Sequence, residues 1–309
     1  MNIFERLNVK YPIIQGGMEG ISKSKLAAAV SNAGGLGLIG TSGLSVSEFK
    51  KEIDLAYKSI DKSKIFGVNI VLNEDGIDDK IEYTISNKVP LVTISAGNPK
   101  NYIKQFKDAG ILVICLVGNS EMAVKCEEYG ADGLIFSGSE AGGFISSVTT
   151  MAGLVPVIKS VNIPVISAGG YGDGSQLLAA QAMGAIGIQM GTRFLIAKES
   201  PISDNYKNLL LNSKENDTVL IGEDLGVSIR QISNNFTKEI NSIENLKIGQ
   251  LIDLYTKGMV KAVNEGNLEE GDFLCGMSVG MIEKEQTVDD IIKEILSEYN
   301  QAKDRLFND

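Results

Sequence analysis

The chain has 309 residues, 43% of them hydrophobic and 22% charged, with 34 glycines, 6 prolines and no histidine or tryptophan. That is too apolar for disorder and long enough to bury a large core. Its 39 acidic residues outnumber 29 basic ones, for a formal charge of −10 with no Lys/Arg block, which excludes the electrostatic footprint of nucleic-acid binding.

From residue 12 to 194, short apolar runs alternate with amphipathic stretches. "PIIQGG" (12–17) precedes "KSKLAAAVSNAGG", and "LGLIG" precedes "SVSEFKKEIDLAYKSI". "FGVNIVL", "LVTISAG", "ILVICLVG", "DGLIFSGS", "IPVISAGG" and "GIQMGTRF" follow, each pair separated by one helical segment. The runs are continuous in Val, Ile and Leu rather than alternating with polar residues, which predicts parallel strands covered on both faces. Eight such strands with seven helices between them predict an α/β fold, a (β/α)8 TIM barrel.

Residues 1–194 are therefore expected to form the barrel core. Residues 195–285 are more polar and without further strong strands, and are expected to form a mostly helical cap inserted after strand 8. Residues 286–309 are expected to supply a C-terminal helix that completes the barrel, with Thr287 as its N-cap ahead of two acids.

Cys115, Cys126 and Cys275 form neither a CxxC pair nor a zinc spacing, so no metal is expected. Cys115 and Cys126 read as core thiols, and Cys275 as a thiol open to the site. No signal segment and no apolar stretch approaching ~20 residues is present, so a cytoplasmic protein with no membrane partner is expected.

Barrel reactions occur at the carboxyl ends of the strands. There the chain reads "QGGM", "GVN", "SAGNP", "SGSEAGG", "SAGG" and "QMGTRF". Glycine at so many of these ends points to backbone approaching something flat or anionic. Gly169–Gly170 and Gly191–Thr192 sit where barrels build a phosphate site from loop amides, tight turns alone being the alternative. Asn69 and Gln189 place amides either to bond the edge of a heterocycle or to cap neighbouring turns. Met18 offers a soft contact to a ring or fills core space.

Seven ordered motifs, "YPIIQGGM", "AVSNAGGLG", "FGVNIVL", "SAGNP", "SEAGGFIS", "PVISAGG" and "QMGTRF", resemble the nitronate monooxygenase family. Within it, the likeness runs nearest to the enoyl-acyl-carrier-protein reductase II branch, across the cap as well as the barrel. The resemblance implies noncovalent FMN, with Gly16, Gly17, Met18, Asn69, Gly97, Gly142, Gly143, Ala168, Gly169, Gly170, Gln189, Gly191 and Thr192 as its neighbours. It also implies NADH or NADPH as co-substrate and a small-molecule or acyl-carrier-bound thioester as substrate, with a place in fatty acid biosynthesis. Self-association into a homodimer is left open.

Both branches of the family carry a histidine directly after the paired glycines, and here that residue is Phe144. A phenyl ring moves no proton, so it is expected to stand as an apolar wall. The departure weighs most against nitronate oxidation, which assigns substrate deprotonation to that imidazole. Hydride transfer needs orientation more than a base, leaving Tyr171, Glu140, Ser146 or water to supply the final proton. Tyr171 reads as an acid or a packing residue, and Glu140 as an acid or the organiser of its own loop. The expected activity is FMN-dependent, NAD(P)H-dependent reduction of enoyl thioesters. Nitronate monooxygenase, a quinone reductase-like flavoenzyme, or a catalytically lapsed flavin-binding barrel are the alternatives.

Overall fold

Each apolar run between residues 12 and 194 becomes a strand buried on both faces in the computed structural model, which describes residues 2–307. The strands are β1 (Ile13–Gln15), β2 (Gly37–Gly40), β3 (Phe66–Val71), β4 (Leu91–Ser95), β5 (Leu112–Val117) and β6 (Gly133–Ser137). They continue with β7 (Gly143–Phe144), β8 (Val165–Ala168), β9 (Ile188–Met190), β10 (Thr218–Ile221) and β11 (Ile229–Ile232). Eight of them pair in parallel in the order β1-β9-β8-β6-β5-β4-β3-β2. A parallel bridge from Ile14 to Leu36 brings the two ends of this sheet together, making the TIM barrel.

Alternate residues of each strand face opposite ways, and here both sets are apolar. Ile14, Leu38, Leu91, Ile114, Ile135 and Ile166 fill the barrel interior as one cluster. Ile13, Ile39, Val68, Val92, Val113 and Leu134 belong to the layer between the barrel and its helices. The short helix Ile3–Arg6 closes the amino end of the barrel with Ile3 and Phe4, which occupy the space that side chains at Gly133 and Gly187 would need.

Three of the connecting helices start at side-chain caps. Ser45 and Glu48 form a reciprocal box ahead of Val46–Ser59, Asn119 caps Ser120–Glu128, and Asp173 caps Gly174–Ala182. The last helix, Val288–Phe307, has Thr287 Oγ1 accepting from the Asp290 amide at 3.1 Å. It lies against Gly174–Ala182, where Glu298 accepts from the Gly174 amide at 2.8 Å and the Tyr299 hydroxyl donates to Gln181 at 2.9 Å.

After Leu195 the chain leaves the barrel, and a parallel bridge between Ala197 and Gln286 marks where it returns. The segment between has its own core, with Tyr206, Ile221, Ile229, Leu251 and Phe273 fully buried. It is not free of strands, contrary to expectation: β10 and β11 pair antiparallel, and β11 pairs with β7 from the barrel side. Their four-residue runs "TVLI" and "IRQI" are short, and the acidic turn between them conceals the hairpin. Gly222 and Gly226, at φ 82° and 75°, supply its left-handed positions. Among the described residues no helix is long and apolar enough to cross a membrane.

A Cβ at Gly174 would overlap the Ile295 carbonyl oxygen and the Tyr299 amide nitrogen. Gly174→Ala should therefore cost about 2–3 kcal/mol in urea unfolding, because the last helix must shift off its seat. Gly249→Ala, with nothing within 4 Å of its added methyl, should stay within about 1 kcal/mol of the parent.

Candidate functional site

The carboxyl end of β1 is braced from below. Gln15 is buried, its Oε1 accepting from the Leu38 amide at 3.1 Å and its Nε2 donating to Ser22 Oγ at 2.8 Å. Ser22 Oγ also accepts from the Met18 amide at 2.7 Å and donates to the Gly16 carbonyl at 3.0 Å. These bonds curl Gly16–Gly17–Met18 across the barrel mouth.

The two glycines lie against side-chain amides. A Cβ on Gly17 would sit 2.6 Å from the Asn69 side chain, and one on Gly16 would sit 3.2 Å from that of Gln189. Asn69 is held by Thr93, whose hydroxyl donates to its Oδ1 at 2.8 Å. Gln189 Oε1 is buried and has no partner among the described residues. Met18 reaches toward β9, with its Sδ 3.6 Å from where a Gly191 Cβ would lie. Gly16, Gly17, Met18, Asn69, Gln189 and Gly191 thus meet in one floor.

Beside this floor the loops after β8 and β9 present amides. Gly169 and Gly170 have φ of 96° and 83°, and a Cβ on Gly169 would come within 2.8 Å of the Gly138 carbonyl oxygen. Their carbonyls are tied back: Thr150 Oγ1 donates to Gly169 O at 2.9 Å and Gln176 Nε2 to Gly170 O at 3.0 Å. The N–H groups of Gly169, Gly170 and Gly191 donate to no acceptor among the described residues. Thr192 Oγ1 accepts from the Gly276 amide at 2.8 Å, so its own hydrogen stays available. Undischarged amides beside an unpaired buried carbonyl oxygen suit an anionic group attached to a polar heterocycle, and FMN fits that donor set.

Other expected residues have different employment. Ala168 lines the barrel interior. Gly97, at φ 70°, packs on Leu72 and Asn73. A Cβ on Gly142 would lie 2.5 Å from the Cys275 backbone, and Gly143 pairs with Arg230 in the cap sheet. Those two glycines allow the cap to dock as well as marking the mouth.

Glu140 is the organiser of its loop, its carboxylate accepting from the Thr150 amide at 2.8 Å and sharing the single Thr150 hydroxyl hydrogen with Gly169 O. Tyr171 turns away from the mouth into the layer between barrel and helices, 6% exposed, and donates to Ser167 Oγ at 2.7 Å. Burial pushes its phenol above the usual range. Ser146 donates to the Ser137 carbonyl at 3.0 Å. Phe144 is 53% exposed at the mouth.

Cys275 is buried rather than open, and burial pushes its thiol up, against the expectation of an accessible group. Cys115 and Cys126 are buried in the core as expected.

Three groups at the mouth escaped the sequence reading. The Tyr255 hydroxyl donates to Glu19 Oε2 at 2.6 Å, and the Tyr255 ring meets that of Phe144 edge-on with centroids 5.4 Å apart. Asp272 is fully buried, both carboxylate oxygens lacking partners among the described residues. Burial raises the Asp272 acid well above its ordinary value, and the nearby Glu19 adds to that. Glu19 is raised by burial too, with hydrogen bonds from Tyr255 and Ser42 pulling the other way. The available signal was an acid inside "QGGMEG"; nothing in the cap sequence marked Tyr255 or Asp272.

A family model described as nitronate monooxygenase matches residues 2–298. The solved structure of FabK from Thermotoga maritima superposes with a TM-score of 0.94 at 39% identity, covering 98% of this chain and 97% of that one. A probable nitronate monooxygenase from Staphylococcus saprophyticus is 31% identical, with 97% of each chain covered. The (3aS,4S,5R,7aS)-5-hydroxy-7a-methyl-1-oxo-octahydro-1H-indene-4-carboxyl-CoA dehydrogenase of Rhodococcus jostii is 34% identical over 78% of this chain and 67% of its own length.

Gly191 separates charge from shape, because a Cβ there makes only ordinary contact with Met18. Gly191→Asp should raise the FMN dissociation constant at least about 100-fold, or about 2.8 kcal/mol, by setting a carboxylate against the phosphate. Gly191→Ala should keep the flavin, as read by absorbance of the purified proteins.

Proposed function

Because the chain belongs to the nitronate monooxygenase family, we propose that it is an FMN-dependent oxidoreductase that reduces enoyl thioesters at the expense of NADH or NADPH. The observation that carries the reading is Phe144, half-exposed at the mouth beside an amide-lined floor. Oxidation that starts from a neutral nitroalkane calls for a base that takes its α-proton to form the nitronate, and no imidazole exists anywhere in this chain. Reduction of a double bond calls instead for a hydride donor, a fixed substrate and a proton delivered late. A family relative named as a carboxyl-CoA dehydrogenase supports redox chemistry on a thioester.

Bound FMN would supply hydride transfer. The free amides of Gly169, Gly170 and Gly191 would hold its phosphate, with Thr192 as a further donor. Gln189 Oε1 would accept from the ring edge, and Asn69, fixed by Thr93, would orient it beneath Gly17. Phe144 and Met18 would make the apolar sides against which the acyl part lies. The 195–285 segment would be the substrate-side cap, and the cytoplasm the compartment. A small-molecule or carrier-bound thioester would be the partner.

In an anaerobic cuvette, NADH or NADPH should bleach the flavin and a crotonyl or longer enoyl thioester should restore its colour. Bleaching without recovery on the thioester sinks the reading, and oxygen uptake with an alkyl nitronate would replace it. Phe144→His should cost little stability, since the ring is 53% exposed. It should raise turnover of a neutral nitroalkane at least about tenfold if a base is what that chemistry lacks.

A further inference from the structure

The loss of an imidazole at position 144 leaves the proton of reduction without an evident source, and the cap supplies one. Glu19 follows Met18 in the chain, and its carboxyl lies against Tyr255 of the cap and Ser42 of the loop after β2. Tyr255 comes from the cap helix Ile248–Val260 and lies between Glu19 and Phe144, its hydroxyl 2.6 Å from the first and its ring against the second. We propose that Tyr255 delivers the proton to the substrate and that Glu19, acting through Tyr255, resupplies it. This rests on the enoyl thioester reading above.

The surroundings favour the protonated form of Glu19. From the loop after β2, Ser42 hydrogen-bonds Glu19; from the loop after β3, Glu74 faces it as a like charge; from the cap, Asp272 does the same. Lys80, the cation of this quarter, is engaged with Glu74 at 3.1 Å and the Thr41 carbonyl at 3.0 Å. No lysine or arginine pairs with Glu19 among the described residues. Two acids and a phenol in a buried setting, with no cation between them, hold protons more tightly than they would in water.

The balance of the step is simple. A hydride equivalent from the dihydronicotinamide bonds to the β-carbon, and the π pair of the double bond becomes available at the α-carbon. The Tyr255 hydroxyl, which donates to Glu19 in the structure, turns to the substrate while the Glu19 acid donates to the phenol oxygen. The Tyr255 O–H bond then breaks and an α-carbon C–H bond forms. The O–H pair stays on the phenol oxygen, which takes the carboxyl proton of Glu19, and solvent reprotonates the carboxylate. Protonated Glu19 is the active form and burial raises its pKa. The rate should therefore hold at low pH and fall as pH rises through that raised value.

The test uses the flavin-loaded protein, with Tyr255→Phe and Glu19→Gln as near-isosteric variants whose melting temperature and flavin content are checked first. Bleaching by the pyridine nucleotide should stay within about 2-fold in both, while recovery on the thioester slows about 100-fold. Glu19→Gln should also lose the fall at high pH. Infrared spectra at neutral pH should show a protonated carboxylic acid band that is lost in Glu19→Gln and displaced in Tyr255→Phe. Asp272→Asn serves to subtract the second buried acid.

Unchanged recovery in Tyr255→Phe, or no acid band removed by Glu19→Gln, overturns the proposal. A parent protein that the thioester does not reoxidise overturns the functional reading instead, so the two failures are told apart by that control.

Discussion

The site depends on backbone amides that point outward because their carbonyls are held from behind. Thr150 and Gln176 take the oxygens of Gly169 and Gly170, and the left-handed φ of both glycines turns the N–H groups toward the mouth. A buried amide without a partner is costly, of order 1–3 kcal/mol. Gly169, Gly170 and Gly191 are half-buried at adjacent strand ends, where a ligand or solvent can satisfy their amides. The same economy of space governs the floor, where Gly16 and Gly17 lie so close to Gln189 and Asn69 that a methyl group would not fit over Asn69.

The cap is fastened to this site rather than laid across it. The Gly276 amide donates to Thr192 Oγ1, the Met277 amide donates to the Glu140 carbonyl at 2.9 Å, and a Cβ on Gly276 would lie 2.6 Å from that same carbonyl. Gly142 is the complementary gap on the barrel side. One loop, residues 138–144, therefore meets the cap backbone, caps the helix Thr150–Ser160 through Glu140, and presents Phe144. Its glycine pair answers to two neighbours at once, which is why its sequence reads as a ligand loop and its packing reads as a hinge for the cap.

The barrel was legible because its signal is periodic and repeated: eight apolar runs separated by capped helices leave few other arrangements. The glycine-rich strand ends were legible too, Gly169–Gly170 following β8 and Gly191–Thr192 following β9 as the sequence placed them. The β10–β11 hairpin was not, because four-residue strands carry too little pattern and β11 takes its second neighbour from a distant loop. Tyr171 misled for a related reason. A tyrosine after a glycine pair can turn either way, and only the packing against the helix layer shows that it turns inward. Glu19, Tyr255 and Asp272 lie far apart in the chain, and their meeting is a property of how the cap docks. No local spacing announces it.

Phe144 and the Glu19–Tyr255 pair are best understood together. An apolar ring at position 144 removes a titratable group from the mouth and packs edge-on against the ring of Tyr255, whose hydroxyl contacts Glu19. Dry walls raise the proton affinity of the acids behind them. An imidazole in that place would be a competing acceptor and, when charged, a cation that draws Glu19 toward its ionised form. The aromatic contact thus does more than fill the gap left by histidine. It adds to the burial that raises the proton affinity of the Glu19 carboxyl at the seam between barrel and cap.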